Sequence, residues 1–174
     1  MKGLAGERLT LRPLTVEDVS DAYVGWMNDP VTNRYMETRW CSHSRADVEA
    51  FVAEKAASTA EHLFAIVENA SGRHIGNLKI GPVDPNHGRG DLSYFIGEPD
   101  ARGRGYATEA VALGVRIGFE QLGLHKLTAG IYLENAESGR VLEKNGFVVE
   151  GRRASHFAFE GRWTDMVEYG LLRA

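Results

Sequence analysis

The sequence is poor in cysteine and contains no long apolar run. Its 174 residues include one cysteine, Cys41, so no disulfide can form within the chain. No Cys/His spacing typical of zinc is present, and we expect no metal. No stretch approaches the roughly 18 apolar residues of a membrane span, and the N-terminus lacks the apolar segment of a signal peptide. These absences predict a cytoplasmic protein with no membrane partner.

An excess of positive charge is also missing. The formal net charge is −4, and a chain without a basic surplus is a poor candidate for binding nucleic acid. Hydrophobic residues make up 43% and charged residues 25% of the sequence, which is an ordinary globular balance. We therefore expect one domain over residues 1–174, large enough to bury a core without cross-links.

The periodicity of apolar residues predicts a mixed α/β domain in the order β-αα-βββ-α-β-α-ββ. Helices are expected over residues 15–28 and 44–60, with a short helical turn over 30–35. The segment 81–90, rich in glycine and proline, is expected to be a loop. A long amphipathic helix should follow from residue 107 to residue 122.

The most informative segment is Arg102-Gly103-Arg104-Gly105-Tyr106-Ala107, between a predicted strand and the long helix. Glycines, arginines and a helix N-terminus together favour a phosphate group. A dinucleotide-binding turn does not fit, because Thr108 stands where a third glycine is required, and no Gly-Lys-Ser/Thr triplet of a P-loop occurs. An exposed glycine-rich loop is the simpler alternative.

This segment resembles the R/Q-x-x-G-x-G/A signature of the GNAT N-acetyltransferase superfamily. Three further segments are similar to the branch that contains ribosomal-protein N-terminal and spermidine acetyltransferases: residues 9–14, Asn135-Ala136-Glu137-Ser138, and Glu143 to Phe147. Residues 26–30 also resemble a segment of amino-sugar acetyltransferases. The resemblance implies a single-domain, mostly antiparallel mixed sheet flanked by helices, with two central strands splayed apart.

The resemblance also implies acetyl-CoA as the cosubstrate. The amides from Arg102 to Ala107 would surround its pyrophosphate, and the pantetheine arm would lie along the strand that ends near residues 95–97. Asn135 matches an asparagine that contacts the coenzyme, although its simpler role is a helix N-cap. The implied coenzyme-binding residues are Phe95, Ile96, Gly97, Arg102, Gly103, Arg104, Gly105, Tyr106, Ala107, Asn135 and Ser138.

Three residues are candidates for catalysis. Ser138 matches a serine proposed to protonate the departing thiolate, and Leu142 stands where many superfamily members have a tyrosine. Asp91 and Glu37 are candidates for accepting a proton from the incoming amine. The alternatives are a surface hydroxyl for Ser138, a charge at a strand edge for Asp91 and a solvated carboxylate for Glu37. Amides near Ile96 would stabilise an oxyanion.

The predicted activity is direct transfer of acetyl from acetyl-CoA to a primary amine. The acceptor classes left open are a protein N-terminus, an amino sugar, a polyamine and an aminoglycoside. Cys41 lies outside the coenzyme motif, which argues against an acyl-cysteine intermediate. The alternative function is a non-catalytic acyl-CoA-binding sensor or scaffold with the same fold. A homodimer is one expected state, because dimers are common in the superfamily.

Overall fold

The computed structural model describes residues 2–174 and contains one sheet of eight strands. The spatial order of the strands is β1-β2-β3-β4-β5-β6-β8-β7. Every neighbouring pair is antiparallel except β5 and β6, which are parallel. The strands are Leu4–Ala5 (β1), Leu9–Pro13 (β2), His62–Glu68 (β3), His74–Asp84 (β4), Arg89–Ile96 (β5), Lys126–Tyr132 (β6), Val148–Phe159 (β7) and Arg162–Leu172 (β8).

Four α-helices begin at residues that the sequence marks as caps or turns. They are Asp21–Asn28 (α1), Arg45–Ala57 (α2), Tyr106–Arg116 (α3) and Ala136–Lys144 (α4). The side chains of Ser20, Ser44 and Asn135 accept hydrogen bonds from amides in the first turns of α1, α2 and α4. No helix within residues 2–174 is long and apolar enough to cross a membrane.

The helices cover both faces of the sheet and enclose two separate apolar clusters. On one face, Leu78 and Leu127 pack with Val111 of α3 and Leu142 of α4. On the other face, Ala65 packs with residues of α1 and α2 that include Tyr23, Trp26, Val48 and Val52. The two clusters give a three-layer arrangement in which helices bury the apolar residues on both faces of the sheet.

The two central strands separate, as expected. β5 and β6 pair only from Arg89 and Lys126 to Asp91 and Thr128. Beyond that point β5 continues to Ile96 on one side, and β6 continues to Tyr132 on the other. The expectation of a mostly antiparallel sheet with splayed central strands is confirmed, and a V-shaped gap opens in the middle of the molecule.

Several local predictions were wrong at element boundaries. Residues 30–35 form turns and no continuous helix. The carboxylate of Asp29 caps the amides of Val31 and Thr32. The amide of Asn33 donates to the Asp29 carbonyl, but no further helical bond follows before Met36 bonds the Asn33 carbonyl. The loop expected over 81–90 is shorter, since β4 runs to Asp84 past a bulge. The helix expected over 107–122 changes to π-helical geometry at Ile117–Gln121.

Candidate active site

A cavity of about 390 Å³ occupies the gap between β5 and β6. Residues from both faces of the sheet line it. Leu92 and Ile131 belong to the cluster beneath α3 and α4, whereas Met27 and Leu63 belong to the cluster beneath α1 and α2. The cavity therefore passes through the sheet. Glu37, Phe95, Asn135 and Ser138 are the members of the predicted site that line it.

The backbone of β5 presents one unpaired edge to this gap. The amide of Gly97 donates to the carbonyl oxygen of Ile75 at 2.8 Å, and the register pairs Asn77 with Phe95. Because hydrogen-bonded pairs alternate along an antiparallel ladder, Phe95 and Gly97 direct their backbone groups toward β4. The intervening residues, Tyr94 and Ile96, direct theirs toward the gap. The Ile96 carbonyl accepts from Arg102 Nε at 3.2 Å, and the other groups on this edge could bind a pantetheine amide.

Gly97 lies against the indole ring of α1. A Cβ atom at Gly97 would lie 2.1 Å from a ring carbon of Trp26, so the indole occupies the space that a side chain would need. The Trp26 Nε1 atom also donates to Glu98 at 3.2 Å. Gly97 thus allows close packing of α1 against the end of β5, and its amide donates to the Ile75 carbonyl.

The turn that follows β5 is open to solvent and has the backbone geometry of an anion site. Gly103 and Gly105 are exposed and have φ angles of +70° and +79°, in the left-handed region that favours glycine. No side chain within residues 2–174 caps α3, and the first hydrogen bond of this helix runs from the amide of Glu109 to the Gly105 carbonyl. The amides of Tyr106, Ala107 and Thr108 are consequently free to bind an anion.

The side chain of Arg102 does not point outward from this turn. Its Nη2 atom donates to the Gly97 carbonyl at 2.8 Å and to Thr32 Oγ1 at 2.6 Å, and its Nε atom donates to the Ile96 carbonyl at 3.2 Å. The guanidinium therefore ties the turn to the end of β5. Sequence reasoning assigned a phosphate role to this position and missed the internal contacts of the side chain.

Arg8 and Arg104 supply the positive charge beside the turn. Their guanidinium groups lie on the Tyr106 ring, each 4.9 Å from its centroid. Glu68 accepts from the Tyr106 hydroxyl at 2.5 Å and lies 3.5 Å from Arg104. The side chain of Tyr106 is buried, so only its amide faces the candidate phosphate position. The Nη1 atom of Arg8 donates to the carbonyl oxygen of Arg104, which is 96 residues away in sequence. Sequence reasoning missed Arg8.

Two hydroxyl groups meet where the N-terminus of α4 reaches the cavity. Ser138 Oγ lies 2.9 Å from the hydroxyl of Tyr94, and both residues line the cavity. Burial raises the pKa of Tyr94 to about 12, so its hydroxyl keeps its proton at neutral pH. Leu142, in place of a tyrosine, is fully buried in the same wall. Sequence reasoning identified Ser138 and missed Tyr94.

Asn135 performs the capping role and still reaches the cavity. Its Oδ1 atom accepts from the amide of Ser138 at 3.3 Å, which leaves its Nδ2 atom without a partner among the described residues. The simpler role and the coenzyme contact are thus compatible in one side chain.

On the opposite side of the sheet, Glu37 lies in an aromatic wall. Its Oε1 atom accepts from the hydroxyl of Tyr132, which in turn accepts from Arg39 at 2.7 Å. The ring of Tyr132 stacks on Phe157 with centroids 4.0 Å apart. Burial, followed by the bond to Glu37, raises the pKa of Tyr132. The Glu37 side chain remains 65% exposed, and its Oε2 atom is available to an ammonium group.

Asp91 is placed differently from the other candidates. It sits on the last paired rung of β5 and β6, and its Oδ1 atom accepts from Thr128 Oγ1 at 3.0 Å. Burial raises its pKa, while the bond from Thr128 acts in the opposite direction. Asp91 does not line the cavity, so the structure does not bring it together with Glu37 and Ser138.

The fold and the site together define a transferase of the acetyl-CoA-binding type. The GNAT acetyltransferase domain family matches residues 8–148, and the chain belongs to that family. The expectation of an acetyl-CoA-dependent acetyltransferase that acts on an amine is confirmed.

Relatives and solved structures agree in length and fold. The chain is 29% identical to an uncharacterized N-acetyltransferase, p20, of Bacillus licheniformis, covering 99% of this chain and 97% of that protein. It is 26% identical to a spermidine N(1)-acetyltransferase of Vibrio cholerae, covering 96% and 94%. The crystal structure of the Vibrio cholerae spermidine N-acetyltransferase in complex with CoA and spermine is 24% identical and superposes with a TM-score of 0.87 over 96% of both chains. At 24% identity, the likeness to this crystal structure shows the fold alone.

Proposed function

We propose that this chain transfers an acetyl group from acetyl-CoA directly to a primary amine within the cavity between β5 and β6. The observation that carries the proposal is the passage of this cavity through the sheet, from Ser138 on one side to Glu37 on the other. The proposed location is the cytoplasm, and the proposed assembly is a homodimer. The spermidine of the relative is one candidate acceptor.

The coenzyme end of the site is proposed to lie on the α3 and α4 side. The amides of Gly103, Gly105, Tyr106 and Ala107 would bind the pyrophosphate, helped by the positive end of α3. Arg104 adds positive charge, and Arg102 holds the turn in place. The backbone amide and carbonyl of Tyr94, on the edge of β5 that faces the gap, would pair with the pantetheine arm, as an added strand does.

The acceptor is proposed to meet the thioester from the α1 and α2 side. An ammonium group must lose a proton before it can attack a carbonyl carbon. Glu37 is better placed than Asp91 to bind and deprotonate it, because Glu37 lines the cavity with a free Oε2 atom. The amide of Ile96 is proposed to stabilise negative charge on the reacting carbonyl oxygen.

The proton for the departing thiolate is proposed to come from the Ser138 and Tyr94 pair. A serine hydroxyl that receives a hydrogen bond from tyrosine can give its own proton to the thiolate while it takes the tyrosine proton, and the tyrosinate then recovers a proton from water. Cys41 does not line the cavity, so no acyl-cysteine step is required.

The test is CoA release with a panel of primary amines, compared between the wild type and Glu37→Gln. We expect Glu37→Gln to raise the KM for the amine about tenfold or more and to lower kcat, with the KM for acetyl-CoA unchanged. Glu54→Gln, an exposed change on α2, is the matched control. Binding of acetyl-CoA without release of CoA on any amine would reject the proposal in favour of a sensor.

A further inference from the structure

On the α1 and α2 side of the cavity, the orientation of the Asn77 side-chain amide is fixed by His74. His74 Nε2 lies 2.9 Å from the Gly76 carbonyl oxygen and 2.7 Å from Asn77 Oδ1. A carbonyl oxygen can only accept, so Nε2 carries the hydrogen and donates to both oxygens. This tautomer assigns Oδ1 to the side of His74, and Nδ2 is then the other end of the Asn77 amide.

That Nδ2 group has no hydrogen-bond partner among the described residues. Asn77 is only 2% exposed, and it lines the cavity. Its side chain shares a face of the sheet with its direct partner Phe95, which belongs to the cluster beneath α1 and α2. A buried donor without an acceptor is costly, and a ligand that offers an oxygen removes that cost.

The charges of the cavity favour an acceptor with one positive charge. Glu37 and Lys79 are the only charged residues in its lining among residues 2–174. Glu37 lies 3.7 Å from Arg39, and Lys79 is paired with Glu61 at 3.2 Å. Each additional ammonium group on a ligand would lose hydration without finding an unpaired carboxylate.

We propose that the acceptor is a primary amine with a single positive charge and a neighbouring oxygen that accepts a hydrogen bond from Asn77 Nδ2. This inference rests on the proposed function and names its substrate class. The amino group of a peptide, next to its first carbonyl, has this chemistry, and so does an amino sugar. A polyamine carries several charges and only donors at neutral pH, so this inference removes spermidine from the candidate acceptors and predicts that polyamines are poor substrates.

The experiment compares amines that are matched in shape. Phenylalaninamide and 2-phenylethylamine differ by a carboxamide, glucosamine and cyclohexylamine differ by their oxygens, and spermidine is the polycation. The ratio of kcat/KM within each pair is measured for the wild type and for Asn77→Leu. Comparison of the ratios between proteins cancels the different basicities of the amines.

We expect the wild type to prefer the oxygen-bearing member of at least one pair by about fivefold or more, and we expect Asn77→Leu to lose that preference. Asn77→Asp keeps the bond from His74 and replaces the donor by an acceptor, so it should lose the preference as well. The control Asn86→Leu, in the exposed turn between β4 and β5, should keep it. An unchanged KM for acetyl-CoA shows that the variants are folded.

The outcomes separate the two possible sources of the oxygen. A preference limited to phenylalaninamide assigns the oxygen to a peptide carbonyl, and one limited to glucosamine assigns it to a sugar. Equal ratios in the wild type and in both Asn77 variants would overturn the inference, as would spermidine being the best substrate, while the proposed function would stand. Failure of all five amines to release CoA would reject the proposed function itself.

Discussion

The hydroxyl of Tyr94 and Oγ of Ser138 lie 2.9 Å apart across the gap that separates β5 from α4. They are 44 residues apart in sequence, and each lies on an element that reaches the coenzyme side of the cavity. Because Leu142 offers no proton, this pair supplies the hydroxyl groups that we assign to protonation of the thiolate.

The first prediction concerns this pair. Tyr94→Phe and Ser138→Ala should each lower kcat, by about tenfold or more, because general acid catalysis contributes on the order of 10² to 10⁴ and a thiolate needs less help than an alkoxide. The double variant should be no slower than the slower single variant, since the two groups act as one unit. Steady-state rates at saturating acetyl-CoA measure this. Strictly multiplicative losses would show that the hydroxyls act separately.

The second prediction concerns the phosphate turn. Gly103→Ala should raise the KM for acetyl-CoA and cost about 1–2 kcal/mol of stability, because alanine is strained at a φ of +70°. Gly72→Ala is the matched control, since Gly72 has a φ of +69° and equally open surroundings in a turn before β4. Both variants should lose similar stability in urea unfolding. Only Gly103→Ala should change the KM, and a shared change would assign the effect to strain alone.

A third prediction concerns the contact between Gly97 and Trp26. Gly97→Ala should destabilise the protein by about 1–3 kcal/mol, because its methyl group would overlap the indole. Adding Trp26→Leu should recover part of this loss, although Trp26→Leu alone destabilises the core. A double-mutant cycle in urea gives the coupling energy. Additive losses would contradict the packing explanation for this glycine.

The fourth prediction uses the raised pKa of Asp91. The unfolded chain releases this proton near the ordinary value of 3.8, and the folded chain releases it at higher pH. The folded state therefore loses stability as pH rises through this window. Asp91→Asn has no such loss, so its stability relative to the wild type should increase from pH 3 to pH 7. We expect kcat to stay within about twofold, and a large fall would return Asp91 to the catalytic residues.

Local sequence signals predicted the parts of this protein that depend on neighbouring residues. The cap at Asn135 and the glycine turn at residues 102–107 both follow from side chains close together in the chain. The signature also identified the family, which carried the expectation of splayed strands. Periodicity missed β1 because two residues are too short to show a pattern.

The remaining features depend on register between distant strands, which one sequence does not reveal. Tyr94 lines the cavity because β5 has no strand partner on the β6 side beyond Asp91, and Asn77 reaches the same cavity from the neighbouring strand. The inward contacts of Arg102 depend on Thr32, 70 residues away. A strand pattern alone marks Tyr94 as a core residue, and only the separation of β5 from β6 exposes it to a ligand.

The opening of the cavity on both faces of the sheet determines how reactants come and go. In the proposed arrangement, the coenzyme enters from the α3 and α4 side and the amine from the α1 and α2 side, so neither would block the entry of the other. A compound that links coenzyme and amine covalently would pass between β5 and β6, occupy both parts of the cavity at once and combine the two affinities. Such a compound would hold the divergent strands in place and serve as a probe for every step between entry and release.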